Sequence, residues 1–214
     1  MKRLDSIVEL IKGAHTVLDI GTDHGLVLIE AVKQGYIQQG IGSDVNAAPL
    51  ASTETHLKDI GLSDKIKLVL SDGFENIKDS YDVVVITGMG FKLMKHILSK
   101  PHQRPNYYVL SPHHELEELR AYLSGHGYEI IDEVIVYEKK PYIILKVINN
   151  KKTLSERDIL LGPVLQTKKE ARPYYEDKLQ VKLNYVKHLK GNDLKRVEKE
   201  INYYKNIINT LLKS

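Results

Sequence analysis

Five short β-branched runs, at 16–20, 40–45, 66–70, 82–87 and 107–110, constrain this 214-residue chain more than any other feature. Helical patterns fall between them at 25–34, 47–60, 90–98 and 115–124. Alternation of this kind predicts a parallel sheet with helices on both faces, wound in two directions from a central strand. Two more strand patterns follow, at 128–137 and 142–147, with only Lys139-Lys140-Pro141 at the break. So short a connection joins antiparallel strands. The expected architecture is therefore α/β: a doubly wound, Rossmann-like, mostly parallel sheet carrying one antiparallel strand.

The polar run Asn149-Asn150-Lys151-Lys152 divides the chain into expected units 1–150 and 151–214. The second unit reads as helical. A short helix over 153–165 is stopped near Gly162-Pro163. A longer one spans 173–189, with a stripe of Tyr175, Leu179, Leu183 and Val186. Gly191-Asn192-Asp193 supplies a stop and a fresh N-cap. The last helix carries Leu194, Val197, Ile201, Tyr204, Ile208 and Leu211, spaced alternately by three and four. That seam predicts an antiparallel helical hairpin of coiled-coil character. It closes within one chain or between two, so a monomer and a homodimer through these helices both stand.

Charge follows the same division. Residues 1–150 hold 16 Lys+Arg against 20 Asp+Glu, a net of −4; residues 151–214 hold 15 against 8, a net of +7. The basic segment suggests an anionic partner, with a lysine-rich solvated surface as the plain alternative. There is no cysteine, which excludes disulfides and thiolate metal sites and points to a reducing cytoplasm. The N-terminus lacks the apolar stretch of a signal peptide, and no apolar run approaches the roughly 20 residues needed to span a bilayer. No membrane association is expected.

Four strand ends carry the candidate chemistry. The first runs Val17-Leu18-Asp19-Ile20-Gly21-Thr22-Asp23-His24-Gly25: an apolar strand, a carboxylate, then a glycine turn opening a helix. It lacks the G-x-G-x-x-G phosphate cradle of dinucleotide folds. Its acids favour a ligand bearing hydroxyls and an ammonium group, and S-adenosylmethionine has both. Asp44, with Val45 beside it, ends the second strand, where a carboxylate can take both ribose hydroxyls or cap the next helix. Asp72-Gly73-Phe74 ends the third; Asp72 suits the adenine amino group and Phe74 the adenine face, or the residues form an ordinary turn. Thr87-Gly88-Met89-Gly90-Phe91 ends the fourth, where Gly88 and Gly90 let backbone line a narrow slot and Met89 gives a soft apolar contact. Asp23-His24 and His113-His114 are sequence neighbours whose side chains point apart, so no metal site is expected.

Taken together, these pieces resemble the bacterial tRNA (adenine-22-N1)-methyltransferases. The resemblance lies in Asp19-Ile20-Gly21-Thr22-Asp23-His24, Asp72-Gly73 and Gly88-Met89-Gly90. It continues through Leu119-Arg120-x-Tyr122-Leu123 before Gly127-Tyr128, Gly162-Pro163 and the terminal hairpin, and covers essentially the whole chain. Phe91 stands where the family usually has glycine, Ser111-Pro112-His113 where a Gln-Pro-Asn-like run is usual, and Ser43-Asp44 where the strand usually ends in Glu.

The resemblance implies methyl transfer from S-adenosylmethionine to N1 of an adenine in tRNA. Asp19, Gly21, Thr22, Asp23, Gly25, Asp44, Val45, Asp72, Gly73 and Gly88 are then the cofactor-binding set. Asp23, His24, Gly88 and Met89 stand nearest the reaction. Lys168, Lys169, Arg172, Lys182, Lys187, Lys195 and Arg196 are the candidates for tRNA phosphates. A methyltransferase for another RNA or a small molecule, and a non-catalytic RNA- or partner-binding relative of the same fold, remain as alternatives.

Overall fold

The computed structural model describes residues 2–213. Seven strands form one sheet: β1 (Thr16–Ile20), β2 (Gln39–Asp44), β3 (Ile66–Leu70), β4 (Val83–Met89), β5 (Tyr107–Pro112), β6 (Glu129–Tyr137) and β7 (Pro141–Ile148). Their order is β3-β2-β1-β4-β5-β7-β6. Neighbouring pairs through β5 are parallel, whereas β7 runs antiparallel to both β5 and β6. The strand order therefore reverses between β1 and β4, where open α/β sheets place ligands. The expected hairpin is present, with β7 inserted between β5 and β6.

Alternation along the strands builds two cores. Leu18, Ile20, Val84, Ile86, Tyr108 and Leu110 face one cluster; Val17, Val83, Val85 and Val109 face the other. Helices α2 (Leu26–Lys33) and α3 (Ala47–Asp59) cover the second face. A further helix, α1 (Arg3–Leu10), joins them. It was not among the expected elements, although Leu4, Ile7, Val8 and Ile11 carry its apolar spacing and pack into that cluster. The first face is covered by α4 (Phe91–Ser99), α5 (Leu116–Gly125) and the C-terminal segment.

That segment differs in detail from its sequence reading. The expected helix over 153–165 shortens to α6 (Glu156–Leu161), opened by a capping box in which Ser155 and Asp158 bond each other's backbone N–H. It stops at Gly162, whose φ of +95° ends the helix. The long helices are α7 (Arg172–Tyr185) and α8 (Gly191–Lys213). Gly191 lies inside α8, so the Gly191-Asn192-Asp193 run is its first turn rather than a separate stop and cap. Along α8 the buried positions are Val197, Ile201, Tyr204, Ile207 and Leu211; Ile207 replaces the expected Ile208 at depth. A straight helix drifts from a strict seven-residue repeat, and the seam moves with it. The seam packs against α7 and α6 of the same chain. Leu160, Leu161, Leu165, Tyr175 and Tyr204 belong to the same buried cluster as Leu18 and Leu110, so the core runs without a break across residue 150.

One buried pair fixes this junction. Arg120 and Glu133 are fully buried; the guanidinium donates to Glu133 Oε1 through Nε at 2.9 Å and Nη2 at 2.7 Å. Arg120 Nη1 donates to the carbonyls of Ile159 and Leu160, and Glu133 Oε2 accepts from the backbone N–H of Val164 and Leu165. Gly162 bends the chain around the pair, and a Cβ there would lie 2.5 Å from both Arg120 Nη2 and Glu133 Oε2. Gly162→Ala should therefore strain both backbone and pair. Arg120→Met should cost about 3–5 kcal/mol by leaving a buried carboxylate unpaired. The double change Arg120→Met/Glu133→Leu should recover only part of that loss, because the Val164 and Leu165 N–H groups lose their acceptor. Urea unfolding of the three variants checks this; full recovery in the double variant contradicts it.

Candidate active site

At the carboxyl end of β1 the chain turns at Gly21, with φ +75°, and its N–H and that of Thr22 both donate to the Ser43 carbonyl. This clips the turn to β2. A side chain at Gly21 would meet Met89 Cε at 2.8 Å, so only glycine lets Met89 close over the turn. Asp23 is left-handed, with φ +51°, a conformation that Asp tolerates better than most residues. Thr53 holds it there by donating to the Asp23 carbonyl at 2.9 Å. Gly25, also left-handed, opens α2 and packs against Thr53.

Asp19 is 3% exposed and accepts a 2.8 Å bond from Thr22 Oγ1. Burial is the main cause that pushes its carboxyl up to about 6, and the charge of Asp44 adds to the rise; the Thr22 bond only partly opposes them. Asp44 Oδ1 accepts from the Asn46 N–H at 2.9 Å. Asn46, rather than Asp44, is the N-cap residue of α3.

A crevice of about 350 Å³ brings six of the predicted residues together: Asp19, Gly21, Thr22, Asp23, His24 and Gly88. It is completed by Thr87 from β4, His113 after β5, and Arg3, Leu4 and Ile7 from α1. Gly25, Asp44, Val45, Asp72, Gly73 and Met89 lie outside this lining. Asp44 and Val45 stand on the neighbouring strand end, where Val45 is 60% exposed; Leu70, paired with Asp44 across the sheet, is exposed as well. These two open apolar side chains make one surface, of which the sequence reading assigned Val45 and not Leu70.

Two assignments change. Phe74 is 5% exposed and stacks on the His102 ring at 3.8 Å, so it is core and presents no face to a ligand. Asp72 pairs with Lys100 at 2.8 Å, with His96 at 3.8 Å. The Lys100 hydrogen bond holds its carboxyl below the usual range. Gly73 packs against Ile97. Phe91, beside the slot in sequence, turns inward and meets Tyr122 edge-on at 6.1 Å.

Beyond His113 lies a wider cleft of about 500 Å³, whose lining includes His114, Glu115, Glu117 and Glu118 together with Lys140 and Lys178. His113 lines both spaces. Burial, then the charges of Arg3 and Lys140, keep its imidazole below its ordinary pKa despite a bond to the Gly88 backbone. The predicted phosphate-binding residues divide. Lys168 pairs with Asp132 at 2.6 Å and Lys182 with Glu200 at 2.5 Å, both partly buried. Arg172 and Arg196 pair only with exposed neighbours on their own helices. Lys169, Lys187 and Lys195 form no ion pair among the described residues.

Residues 17–213 match the tRNA (adenine(22)-N(1))-methyltransferase family, TrmK. The chain belongs to that family. It is 30% identical over 141 residues to the tRNA (adenine(22)-N(1))-methyltransferase of Bacillus subtilis, covering 64% of this chain and 59% of that protein. The structure of M. capricolum TrmK in complex with S-adenosyl-homocysteine superposes with a TM-score of 0.85 at 25% identity, over 99% of this chain and 98% of that one. A Streptococcus pneumoniae protein solved with S-adenosyl-L-methionine gives 0.84 at 25% identity, over 97% and 99%.

The raised Asp19 carboxyl has a consequence for stability. Its pKa is higher in the fold than the unfolded value of 3.8, so the ionised form disfavours folding. That cost is complete above about pH 6 and fades as pH falls toward 3.8. Asp19→Asn should stabilise the protein alone by up to about 3 kcal/mol at pH 7.5 and by little at pH 4. Denaturant unfolding at both values decides the matter; equal gains would show that the charge is not the cause.

Proposed function

We infer that this chain transfers a methyl group from S-adenosylmethionine to N1 of adenine 22 in tRNA, as its family does. The observation that carries the reading is the buried Asp19 carboxylate lining, with Gly21 and Gly88, the crevice at the β1–β4 reversal. The residues fit the cofactor. Asp19 is suited to its ammonium group and Asp44 to its ribose hydroxyls. Val45 and Leu70, open at adjacent strand ends, offer apolar contact to its adenine. Asp72 gives Oδ2 to Lys100 and stays half exposed at the next strand end.

When bound, S-adenosylmethionine supplies a methyl carbon made electrophilic by its sulfonium; the adenine N1 lone pair forms the new bond while the carbon–sulfur bond breaks and leaves a neutral sulfide. The protein's task is alignment. Gly88 presents backbone with no side chain in the way, and Met89 roofs the Gly21 turn. His113 stands opposite Gly88, where a neutral imidazole can touch the entering base. Asp23 and His24 are exposed at the rim, with side chains 3.7 Å apart. The methylated adenine is cationic, and an ionised Asp19 favours that charge. Phe91 is partly buried and packs against the core beside Tyr122, which favours turnover over a blocked, binding-only relative.

Residues 1–150 hold the cofactor in this reading, and residues 151–214 meet phosphates. Lys169, Lys187 and Lys195 are free of ion pairs among the described residues, and the weak surface pairs of Arg172 and Arg196 exchange readily for phosphate. Among the described residues no helix is long and apolar enough to cross a membrane. A cytoplasmic enzyme fits the cysteine-free composition.

Labelled methyl transfer to unmodified tRNA, followed by nucleoside analysis, should yield 1-methyladenosine at position 22. A transcript with guanine in place of that adenine should yield none. Methylation elsewhere, or none on the unmodified tRNA, defeats the assignment. An ammonium ligand favours ionised Asp19, so affinity for S-adenosylhomocysteine should fall as pH drops below about 6. Calorimetry on Asp19→Asn should find weak binding with this pH dependence lost, and tRNA binding intact.

A further inference from the structure

The ridge between the two clefts is cationic for a topological reason. Because β7 runs antiparallel to β5, it begins at the sheet edge where β5 ends, and the turn before it lies beside His113. Helix α1 reaches the same edge from the opposite layer. As a result, Arg3 and Lys140 both lie against the ring of Tyr142, at 4.7 Å and 5.2 Å from its centroid. Among the described residues, no carboxylate lies within 4.0 Å of either cationic group. Asp5 accepts from the Lys2 backbone N–H, and Glu138 accepts from the Arg3 backbone N–H at 2.8 Å and acts on the guanidinium charge only from a longer distance. Arg3 Nε is buried and has no hydrogen-bond partner among the described residues.

Two like charges drawn to one ring, one of them with an unused buried donor, call for an oxyanion. Arg3 lines the Asp19 crevice and Lys140 lines the wider cleft, so an anion shared by both sits on the ridge between them. The lining of the wider cleft also carries Glu115, Glu117 and Glu118, which repel phosphate and leave the ridge as the place for it. A nucleotide whose phosphate sits on this ridge has the Gly88 slot on the Arg3 side and the acids on the Lys140 side, so its base enters the slot away from those acids.

We propose that Arg3 and Lys140, backed by Tyr142, seat a tRNA phosphate next to the nucleotide that enters the Gly88 slot. The seat rests on the reading of the chain as a tRNA methyltransferase and adds a phosphate site on the catalytic body, apart from the C-terminal helices. The cofactor's own carboxylate is the competing oxyanion, and Arg3 alone would serve it.

Filter binding of unmodified tRNA across a salt series separates the two. Lys140→Gln should weaken binding about three- to tenfold at low salt and lower the slope of log K against log salt by about 1. Arg3→Gln should do the same, and S-adenosylhomocysteine affinity, read by calorimetry, should stay within about twofold of wild type in Lys140→Gln. A full slope in Lys140→Gln overturns the proposal. So does Arg3→Gln that loses S-adenosylhomocysteine affinity while keeping the tRNA slope, which assigns the arginine to the cofactor. Wild-type protein that binds tRNA but transfers no methyl defeats the proposed reaction, and the slope still decides the seat.

Discussion

The buried contact between Arg120 and Glu133 holds the two ends of this fold in register. A buried ion pair is weak evidence for net stability, because removing two charges from water offsets most of their attraction. Its value here is positional. Every donor and acceptor that the pair directs at α6 and the following turn meets backbone, and the chain can pass only where residue 162 has no side chain. The path from sheet to helices is thereby fixed to one route. Tyr175 extends the same fastening by donating to the Leu161 carbonyl, and Tyr137 reaches the Glu170 carbonyl from β6. The basic helices consequently share a core with the sheet rather than hanging from a linker.

That shared core sets how far the charge of the C-terminal segment is available to a partner. Its net of +7 is a sum over residues, and folding commits part of it internally. Lys168 anchors the segment to β6 through Asp132, and Lys182 ties α7 to α8 through Glu200. A charge held by a partly buried partner is a poorer phosphate ligand than one in water, since binding would first have to break the pair. The usable cations are those on outward positions, together with the cluster over Tyr142 that lies in the nominally acidic half.

The strands were legible because parallel strands buried on both faces read as unbroken apolar runs, as Val83 to Ile86 do. The hairpin was legible because three residues cannot carry a crossover. Helix α1 escaped notice although Leu4, Ile7, Val8 and Ile11 have helical spacing; eight residues give little more than two turns of pattern. In the candidate crevice, Asp19, Gly21 and Gly88 come together as the local sequence suggested, because a strand end and a left-handed turn are set by neighbouring residues. Phe74 was misread because the direction of a side chain after a turn depends on what packs above it, here His102. Arg3 and His113 come from opposite ends of the sheet's connectivity and meet Asp19 only through topology.

The contrast between satisfied and unsatisfied buried groups separates scaffold from site. Arg120 and Glu133 are as deeply buried as any residues in the molecule, and their polar atoms are met by protein. Asp19 is nearly as buried but has one hydroxyl for a partner and a carboxyl forced upward. Among the described residues, Arg3 Nε has no hydrogen-bond partner, and neither do the buried hydroxyls of Ser43 and Ser111, which stand near the carboxyl ends of β2 and β5. Asp23 and Glu115, the two non-glycine residues with left-handed backbone among those described, each border one of the two clefts. Stability alone does not select such deficits, and strain and unpaired polar groups collect where a ligand supplies what the protein leaves out. Here they gather along the carboxyl edge of the sheet, from the ends of β1 and β2 to the loop after β5. The scaffold that is fully bonded within itself lies on the far side of β5, where it can hold this edge rigid without entering the chemistry.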